Sequence, residues 1–224
     1  MLLAMDKATQ AREIVAEALQ KAGPACFSCS FQTEDMIVLE FVREQVPDVP
    51  VLFLDTGYHF AEVYRYRDEM VKRYNLNLVD IVPQEAVEAQ EAKFGQLYRS
   101  RPDECCRLRK VGPLFVALEQ YEIWFTGLRR VQSPTRANLQ PLELFPLPSG
   151  KQLLKVSPLA TWTDEEVWQF AGKRGMPVLA LYDEGYTSIG CAPCTTRPTD
   201  ASNPRSGRWA GRKLECGIHI VETH

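Results

Sequence analysis

The sequence predicts an α/β protein with a doubly wound, mostly parallel β-sheet and an irregular C-terminal tail. Short apolar runs alternate with segments of helical spacing, and this order places helices on both faces of a parallel sheet. The run Val51-Leu52-Phe53-Leu54 is apolar throughout, as strands covered on both faces are. The composition, 45% hydrophobic and 25% charged over 224 residues, excludes collagen, coiled-coil and strongly disordered chains.

The individual elements follow in order along the chain. Helical spacing predicts helices over residues 7–21, 34–45, 60–74, 103–120 and 164–173, with Thr163 and Glu166 as a capping box for the last. A further helix is expected after residue 82. Strands are predicted over residues 25–31, 51–54, 76–82 and 122–126, and residues 142–147 and 152–156 flank a turn that predicts an edge hairpin. Beyond Gly175 regular spacing fades, which is typical of a functional segment.

The charge balance limits the classes of partner. Lys and Arg total 26 against 29 Asp and Glu, a formal charge of −3, so we expect neither a general nucleic-acid binder nor a membrane-surface binder. No apolar run approaches the ~20 residues that span a bilayer, and the apolar start of the chain is shorter than a secretory signal. We expect a cytoplasmic protein whose seven cysteines stay reduced for metal binding or catalysis.

Two loops at predicted strand ends are candidates for holding an anionic ligand. Ser30-Phe31-Gln32-Thr33-Glu34-Asp35 follows the first strand and leads into a helix, whose N-terminus favours anions. Asp55-Thr56-Gly57 follows the next strand at the same sheet edge. Each loop also has an ordinary interpretation, an N-cap at Thr33 and a simple turn. Because the first loop lacks a Gly-x-Gly-x-x-Gly fingerprint, its pattern alone favours the cap.

Four cysteines form two pairs far apart in the sequence, Cys105-Cys106 and Cys191-Ala192-Pro193-Cys194. Four thiolates suit a tetrahedral zinc or a [4Fe–4S] cluster. Adjacent helical side chains point ~100° apart, which is awkward on one ion but workable on separate irons, so the cluster is favoured. Buried thiols with a chance Cys-x-x-Cys are the alternative. Cys26 and Cys29 lie on opposite faces of a predicted strand and are assigned to the core.

Basic residues concentrate around these cysteines although the chain as a whole is acidic. They are Arg107, Arg109, Lys110, Arg129, Arg130, Arg136, Arg197, Arg205, Arg208, Arg212 and Lys213. Guanidinium groups bind phosphate and sulfate oxygens bidentately, which indicates a small anionic substrate, whereas solvated surface arginines are the alternative. Cys216 follows Arg212 and Lys213, and cations stabilise the thiolate that a nucleophile needs; an idle tail thiol is the other interpretation.

Taken in order, these segments resemble the assimilatory adenylyl-sulfate (APS) and phosphoadenylyl-sulfate (PAPS) reductases. The matching segments include Ser30-Phe31-Gln32-Thr33-Glu34-Asp35-Met36, Leu54-Asp55-Thr56-Gly57, Cys105-Cys106-x-x-Arg109-Lys110, Gly127-Leu128-Arg129-Arg130-x-Gln132-Ser133-x-Thr135-Arg136, Gly185-Tyr186-x-Ser188-Ile189-Gly190-Cys191-Ala192-Pro193-Cys194, Pro204-Arg205-x-Gly207-Arg208-Trp209 and Glu215-Cys216-Gly217-Ile218-His219. The combination of Cys-Cys with Cys-x-x-Cys is similar to the cluster-bearing branch, which mostly uses APS.

The resemblance implies a fold, a reaction and a domain division. The fold would be adenine-nucleotide alpha-hydrolase-like, with residues 1–190 as the nucleotide-binding domain. Residues 191–224 would carry two cluster ligands, basic residues and the catalytic cysteine, either within the same domain or as a mobile tail. The reaction would be thioredoxin-dependent reduction of APS to sulfite and AMP through a Cys S-sulfonate.

The resemblance also implies a role for each site residue. Cys216 would be the nucleophile, with His219 positioning the sulfate. The substrate would contact Ser30, Phe31, Gln32, Thr33, Asp35, Asp55, Gly57, Lys110, Arg136, Arg205 and Arg208. One [4Fe–4S] cluster would be held by Cys105, Cys106, Cys191 and Cys194. Reduced thioredoxin or a glutaredoxin-like dithiol protein would be the partner, and a homo-oligomer stays open. Gln32 departs from relatives that often have a smaller residue there.

Three alternatives follow from the same residues. A PAPS reductase or a dual-substrate enzyme would need a basic residue near the ribose 3′ position, which the sequence does not reveal. An ATP pyrophosphatase on this scaffold would usually carry a Ser-Gly-Gly-x-Asp-Ser loop, which is absent. A zinc-stabilised nucleic-acid-binding module would bind zinc without iron and would show steep salt dependence of RNA binding.

Overall fold

Six short strands form one mixed sheet. A computed structural model describes residues 6–200 and 203–219; the apolar first five residues and residues 220–224, the end of the predicted C-terminal segment, lie outside the described residues. The strands are β1 (Ala25–Ser28), β2 (Val51–Leu54), β3 (Leu78–Ile81), β4 (Ile123–Phe125), β5 (Leu142–Pro146) and β6 (Gln152–Val156). Their order is β3-β2-β1-β4-β6-β5, and only β5 is antiparallel to its neighbour. The predicted α/β fold and edge hairpin are confirmed.

Helices connect the strands on both faces of the sheet. They are α1 (Lys7–Leu19), α2 (Thr33–Arg43), α3 (Ala61–Tyr74), α4 (Val87–Phe94), α5 (Leu97–Ser100), α6 (Pro102–Cys106), α7 (Gly112–Leu118) and α8 (Asp164–Lys173). The single helix predicted over 103–120 is interrupted, because a π-helical turn, Arg107–Val111, separates α6 from α7. Within the described residues, none of these helices is both long and apolar enough to cross a membrane.

Alternate strand residues pack into two apolar layers. Phe27, Phe53 and Phe125 join the layer covered by α1, α2, α3 and α8, whereas Leu52 and Trp124 face α7. Cys26 and Cys29 are buried in opposite layers, which confirms that both belong to the core. Ile218, near the end of the described chain, is also buried against α7.

The sheet order places one crevice at the centre of the molecule. The chain moves outward from β1 to β3 and then returns to place β4 on the other side of β1. In open α/β sheets, ligands bind at such a reversal point, beyond the carboxyl ends of the strands. The loops after Ser28 and Phe125 therefore face each other across the expected ligand site.

Candidate active site

A cleft of about 230 Å³ opens at this reversal point. Its walls come from the loops after β1, β2 and β4, from the π-helical turn, and from the C-terminal segment. Most of the predicted substrate-binding and catalytic residues line it: Ser30, Gln32, Asp35, Lys110, Arg136, Arg205, Arg208, Cys216 and His219. Residues separated by up to 189 positions in the sequence thus meet in one cleft, as the predicted function requires.

The loop after β1 is tied together by the carboxylate of Asp35. The backbone N–H and the hydroxyl of Ser30 both donate to Asp35 Oδ2, each at 2.6 Å. Burial raises the pKa of Asp35 to about 6, although the two Ser30 hydrogen bonds act in the opposite direction. A Cβ at Gly127 would overlap Asp35 Oδ1, so a residue without a side chain is what allows the end of β4 to approach this loop.

Gln32 joins this loop to the segment that carries the second cysteine pair. Its Nε2 donates to Ser30 Oγ at 2.9 Å, and its Oε1 accepts the backbone N–H of Ile189 at 3.0 Å. A smaller residue at this position could not make this bridge. The departure noted in the sequence therefore has a structural consequence, since Gln32 connects the strand-end loop to residues just before Cys191.

Four of the predicted substrate-binding residues do not line the cleft. Phe31 is wholly buried in the core, and Thr33, the first residue of α2, is 3% exposed. Asp55 Oδ1 instead accepts the backbone N–H of Gly57 at 2.9 Å and the hydroxyl of Tyr64 at 2.5 Å. Asp55 and Gly57 thus form a hydrogen-bonded turn, and the assignment of these four residues to the substrate stays a prediction.

The two cysteine pairs converge although 85 positions separate Cys106 from Cys191. Cys105, Cys106, Cys191 and Cys194 line a second, smaller cavity beside the cleft. In the part of the chain that the structure describes, no three His, Cys, Asp or Glu side chains lie close enough together to hold a single metal ion. The four cysteines line one cavity, and a [4Fe–4S] cluster, in which each thiolate binds its own iron, does not require three of them at a single ion.

The π-helical turn carries a lysine from the cysteine pair into the wall between the two cavities. π-helical turns inside α-helices are rare and occur frequently at functional sites. Lys110, Arg208 and Trp209 line both the cleft and the cysteine cavity. Burial acts to lower the pKa of Lys110, yet the sulfur atoms of Cys191, Cys216 and Cys106 oppose it and leave that pKa raised. Lys110 is therefore charged at neutral pH.

Cys191 shows the complementary effect. Burial acts to raise its pKa, but Lys110, a hydrogen bond with Thr56 and the charge of Arg208 leave the pKa of this thiol lowered. The Thr56 hydroxyl lies 3.3 Å from Cys191 Sγ. Cys191 differs in this from the other three cysteines of the cavity, because burial raises the pKa of Cys105 to about 12, that of Cys194 to about 11 and that of Cys106 above its ordinary value.

Two arginines of the C-terminal segment form hydrogen bonds with one serine in the wall of the cleft. Arg205 and Arg208 each donate to Ser188 Oγ at 3.3 Å. The Arg208 guanidinium also lies 4.4 Å from the centre of the Trp209 ring, in a space that a Cβ at Gly190 would fill. Burial, followed by the charges of Arg136 and Arg208, lowers the pKa of Arg205 to about 10. An anion placed between these cations would relieve their mutual repulsion.

Cys216 reaches the cleft on a segment that is held by its neighbours. The adjacent Glu215 is bound by Arg136, through Nε at 2.8 Å and Nη2 at 2.7 Å. The predicted substrate ligand Arg136 is therefore committed to the C-terminal segment in this structure. Of the two basic residues before Cys216, Arg212 donates to the Arg99 carbonyl on α5, and Lys213 donates to Asp103 on α6, the helix that carries Cys105 and Cys106.

His219 stacks on the ring of Trp124, with ring centres 5.2 Å apart and planes inclined by 20°. Burial lowers its pKa well below the ordinary value, and the charges of Lys155, Arg136 and Arg205 act in the same direction. Lys155, the residue paired with Trp124 on the neighbouring strand β6, lies on the same face of the sheet, with its Nζ 5.8 Å from the centre of the Trp124 ring. His219 is accordingly a neutral imidazole at neutral pH, able to donate a hydrogen bond but carrying no charge.

Some residues of the site had no predicted role. Glu215, Ser188 and Trp209 all lie inside the quoted motifs, so their positions beside Cys216 and the arginines were visible in the sequence. What the sequence did not reveal is which partner each would contact. Trp124 and Lys155 belong to predicted strands and carried no signal beyond that of core residues.

Comparison with known proteins decides the family. Residues 24–197 match the profile of the phosphoadenosine phosphosulfate reductase domain. This chain belongs to that family. The resemblance seen in the ordered motifs is thereby confirmed, although the matched range ends before Arg205, Arg208, Cys216 and His219. The roles of those residues in this member of the family rest on geometry.

Comparisons with individual proteins and solved structures agree with this family and with the fold. The chain is 47% identical over 189 residues to the adenosine 5′-phosphosulfate reductase of Mycolicibacterium smegmatis, covering 84% of this chain and 79% of the relative. It is similar to the crystal structure of a PAPS reductase from Candida auris, with a TM-score of 0.72 at 25% identity, covering 84% of this chain and 90% of that one. An FMN adenylyltransferase variant of Candida glabrata shares the fold, with a TM-score of 0.67 at 16% identity over 88% of this chain and 68% of that one.

Proposed function

We propose that this protein is an adenylyl-sulfate reductase, which converts APS to sulfite and AMP. The observation that carries the proposal is the presence of Cys216, Lys110, Arg205 and Arg208 in one cleft at the carboxyl ends of β1 and β4. The name of the relatives at 47% identity, adenosine 5′-phosphosulfate reductase, supports the same substrate. A thiol, a set of cations and a nucleotide-sized crevice are the parts that this reaction needs.

The substrate would lie with its nucleotide toward the loop after β1 and its phosphosulfate toward the C-terminal segment. Lys110, Arg205 and Arg208 supply positive charge from three directions in a partly buried cleft, where charge-assisted hydrogen bonds are strongest. These cations neutralise the oxygens of the phosphosulfate, and they also stabilise the AMP phosphate as it leaves. Ser188 orients the two arginines by accepting a hydrogen bond from each.

Cys216 acts as the nucleophile. Its thiolate attacks the sulfate sulfur, a bond from Sγ to that sulfur forms, and the bond from the sulfur to the phosphate oxygen breaks. AMP leaves with the electron pair, and Cys216 becomes an S-sulfonate. His219, held neutral on Trp124, donates a hydrogen bond to a sulfate oxygen without adding a charge that would compete with the arginines for the substrate.

A reduced dithiol protein such as thioredoxin completes the cycle. One of its thiolates attacks Sγ of Cys216, so sulfite leaves with the electron pair and a mixed disulfide forms. The second thiol of the partner resolves this disulfide, which restores the Cys216 thiol and oxidises the partner by two electrons. Such a partner stays reduced in the cytoplasm, where we place this reaction.

A [4Fe–4S] cluster fits the four cysteines that surround the second cavity. Cys105, Cys106, Cys191 and Cys194 would hold it, and Thr56 lies at hydrogen-bond distance from one of the four sulfur atoms. When bound, the cluster supplies a fixed charged group beside the cations of the substrate cleft. Lys110 and Arg208 line both cavities, so they carry this electrostatic connection. The two electrons of the reaction come from the dithiol partner.

The experiment that tests the function is steady-state sulfite release with APS and with PAPS, using reduced thioredoxin and the purified protein. We expect kcat/KM for APS to exceed that for PAPS by about tenfold or more, equivalent to about 1.4 kcal/mol. Equal or reversed values would favour the dual-substrate or PAPS alternatives. No sulfite from either nucleotide would contradict the proposed function altogether.

A further inference from the structure

The carboxylate beside Cys216 makes more contacts than any role stated so far requires. Glu215 Oε1 accepts the Thr135 hydroxyl at 3.0 Å and Arg136 Nε at 2.8 Å, and Oε2 accepts Arg136 Nη2 at 2.7 Å. Arg205 Nη2 lies 3.8 Å from Oε2. The Glu215 side chain is 5% exposed and that of Arg136 12% exposed. Glu215 is therefore a nearly buried carboxylate with a bidentate partner.

Arg136 is itself fixed to the body of the protein. Its Nη1 donates to Gln132 Oε1 at 2.5 Å, and the same amide oxygen accepts the backbone N–H of Arg129. Gln132 Nε2 donates to Glu34, on α2. All three guanidinium nitrogens of Arg136 are thus engaged, and the Glu215–Arg136 pair connects the C-terminal segment to a rigid network at the edge of the cleft.

The backbone before Cys216 and the side chain of a residue after it are also held by contacts with the rest of the protein. Arg205 Nη2 donates to the carbonyl of Leu214 at 2.9 Å, and Ile218 is buried against α7. Glu215 is the residue directly next to the thiol, so its position limits where Cys216 can lie. Burial acts to raise the pKa of Glu215, but the hydrogen bond and charge of Arg136 leave it lowered, so the carboxylate is ionised at neutral pH.

We propose that Glu215 is a positioning residue that holds Cys216 in the cleft through its ion pair with Arg136. The role of the ion pair in turnover rests on the proposed function. Its role in fixing the position of the Cys216 thiol does not, because that position can be probed without substrate. In this account Arg136 acts on the reaction through Glu215, whereas Lys110, Arg205 and Arg208 contact the phosphosulfate. The alternative assignment, Arg136 as a direct substrate ligand, leads to a different kinetic result.

The test compares E215Q, which keeps the shape but removes the charge, with E215A and the wild-type holoenzyme. Glu62, which forms an exposed pair with Arg65 on α3, supplies the matched control variant E62Q. The first readout is the rate at which iodoacetamide alkylates Cys216 without substrate, followed by mass spectrometry of the Cys216 peptide. The second is kcat and KM for APS. Circular dichroism establishes that each variant is folded, and E215Q serves if E215A does not fold.

We expect Cys216 in E215Q and E215A to be alkylated faster by about tenfold or more, because breaking a buried ion pair releases the segment. We also expect kcat to fall tenfold or more while KM stays within threefold, and E62Q to match wild type in both. Unchanged alkylation in a folded E215Q would overturn the proposal, as would a lower KM that marks an Arg136 freed to bind substrate. Faster alkylation in a protein with no APS activity would support the seating and contradict the proposed function.

Discussion

Single residues without side chains determine how closely the charged groups of the cleft approach one another. The Arg208 guanidinium occupies the space beside Gly190, where any Cβ would overlap its terminal nitrogen and carbon atoms. Because those atoms are the far end of a flexible side chain, an added methyl group would displace Arg208 without unfolding the chain. Gly190 is thus what allows Arg208 to occupy its position in the wall of the cleft.

The variant G190A should therefore lose substrate affinity while keeping its fold. We expect KM for APS to rise by about tenfold or more, because a charge-assisted hydrogen bond contributes about 1.5–3 kcal/mol. The control is G172A on α8, where a Cβ would meet nothing within 4 Å; there KM should be unchanged. Steady-state kinetics and iron content measure both variants, and an unaltered KM in G190A would exclude Arg208 from the substrate contacts.

Asp35 should make stability depend on pH. Burial raises its pKa from 3.8 to about 6, so the folded state binds this proton more tightly than the unfolded state. The cost of ionising the buried group, about 3 kcal/mol, applies in full above pH 6 and is relieved as the pH falls toward 4. Between pH 7 and pH 5, the free energy of unfolding of wild type should rise by about 1 kcal/mol relative to D35N. Parallel profiles from denaturant titrations would contradict this.

Among the secondary-structure elements, the segment from α6 to α7 places a cysteine pair and a lysine of the cleft close together. α6 carries Cys105 and Cys106 to the second cavity, and the π-helical turn places Lys110 in the wall shared with the cleft. The 3₁₀ turn Ala192–Cys194 delivers the other cysteine pair from the opposite side. The two cavities are neighbours because these elements meet. We therefore expect substitutions of the cysteines to change the environment of Lys110 and the other residues shared with the cleft.

Serine in place of any one of Cys105, Cys106, Cys191 or Cys194 should lower bound iron and acid-labile sulfide and remove the visible absorbance. C26A is the matched control, since Cys26 is buried in the core layer against α7 and does not line the cavity. We expect C26A to retain iron and colour. Iron and sulfide analysis of the purified proteins decides the matter. Iron loss in C26A equal to that in the quartet variants would contradict the assignment of the ligands.

The sequence predicts the positions of the helices and strands better than it predicts the contacts of individual side chains. Alternating apolar runs place β1, β2, β4 and the edge hairpin within a few residues of their observed bounds, because burial alone determines them. The π-helical turn escapes prediction because its residues fit the ordinary helical spacing on either side. The Arg136–Glu215 pair joins residues 79 positions apart, and no local pattern distinguishes an arginine that binds substrate from one that binds a neighbouring carboxylate.

The whole molecule is acidic, yet its cations converge on one cleft. The net charge is −3, while Lys110, Arg136, Arg205 and Arg208 all line the same space. Only Arg136 among these four is paired bidentately with a carboxylate in the described residues. Lys110, Arg205 and Arg208 are thus positioned to attract a small anion, whereas the net negative charge of the chain disfavours a polyanion such as RNA.

This charge distribution predicts a specific salt dependence. Raising the ionic strength from about 0.01 M to 0.15 M shortens the Debye length from about 30 Å to about 8 Å. We expect kcat/KM for APS to fall severalfold over this range through KM, with kcat nearly constant, because salt screens the attraction between the cleft and the free anion before it binds. A profile that is flat, or that rises with salt, would show that the cations of the cleft do not draw the substrate in.

The most direct test of the account is a single turnover of wild type and C216S with ³⁵S-labelled APS and no dithiol partner. Wild type should release AMP in an amount equal to the label that stays covalently attached to the chain, the label should map to Cys216, and thioredoxin should then release it as sulfite. C216S should bind the labelled nucleotide non-covalently and release no AMP. AMP release from wild type without label on Cys216, or label that stays attached to C216S after denaturation, would contradict Cys216 as the nucleophile.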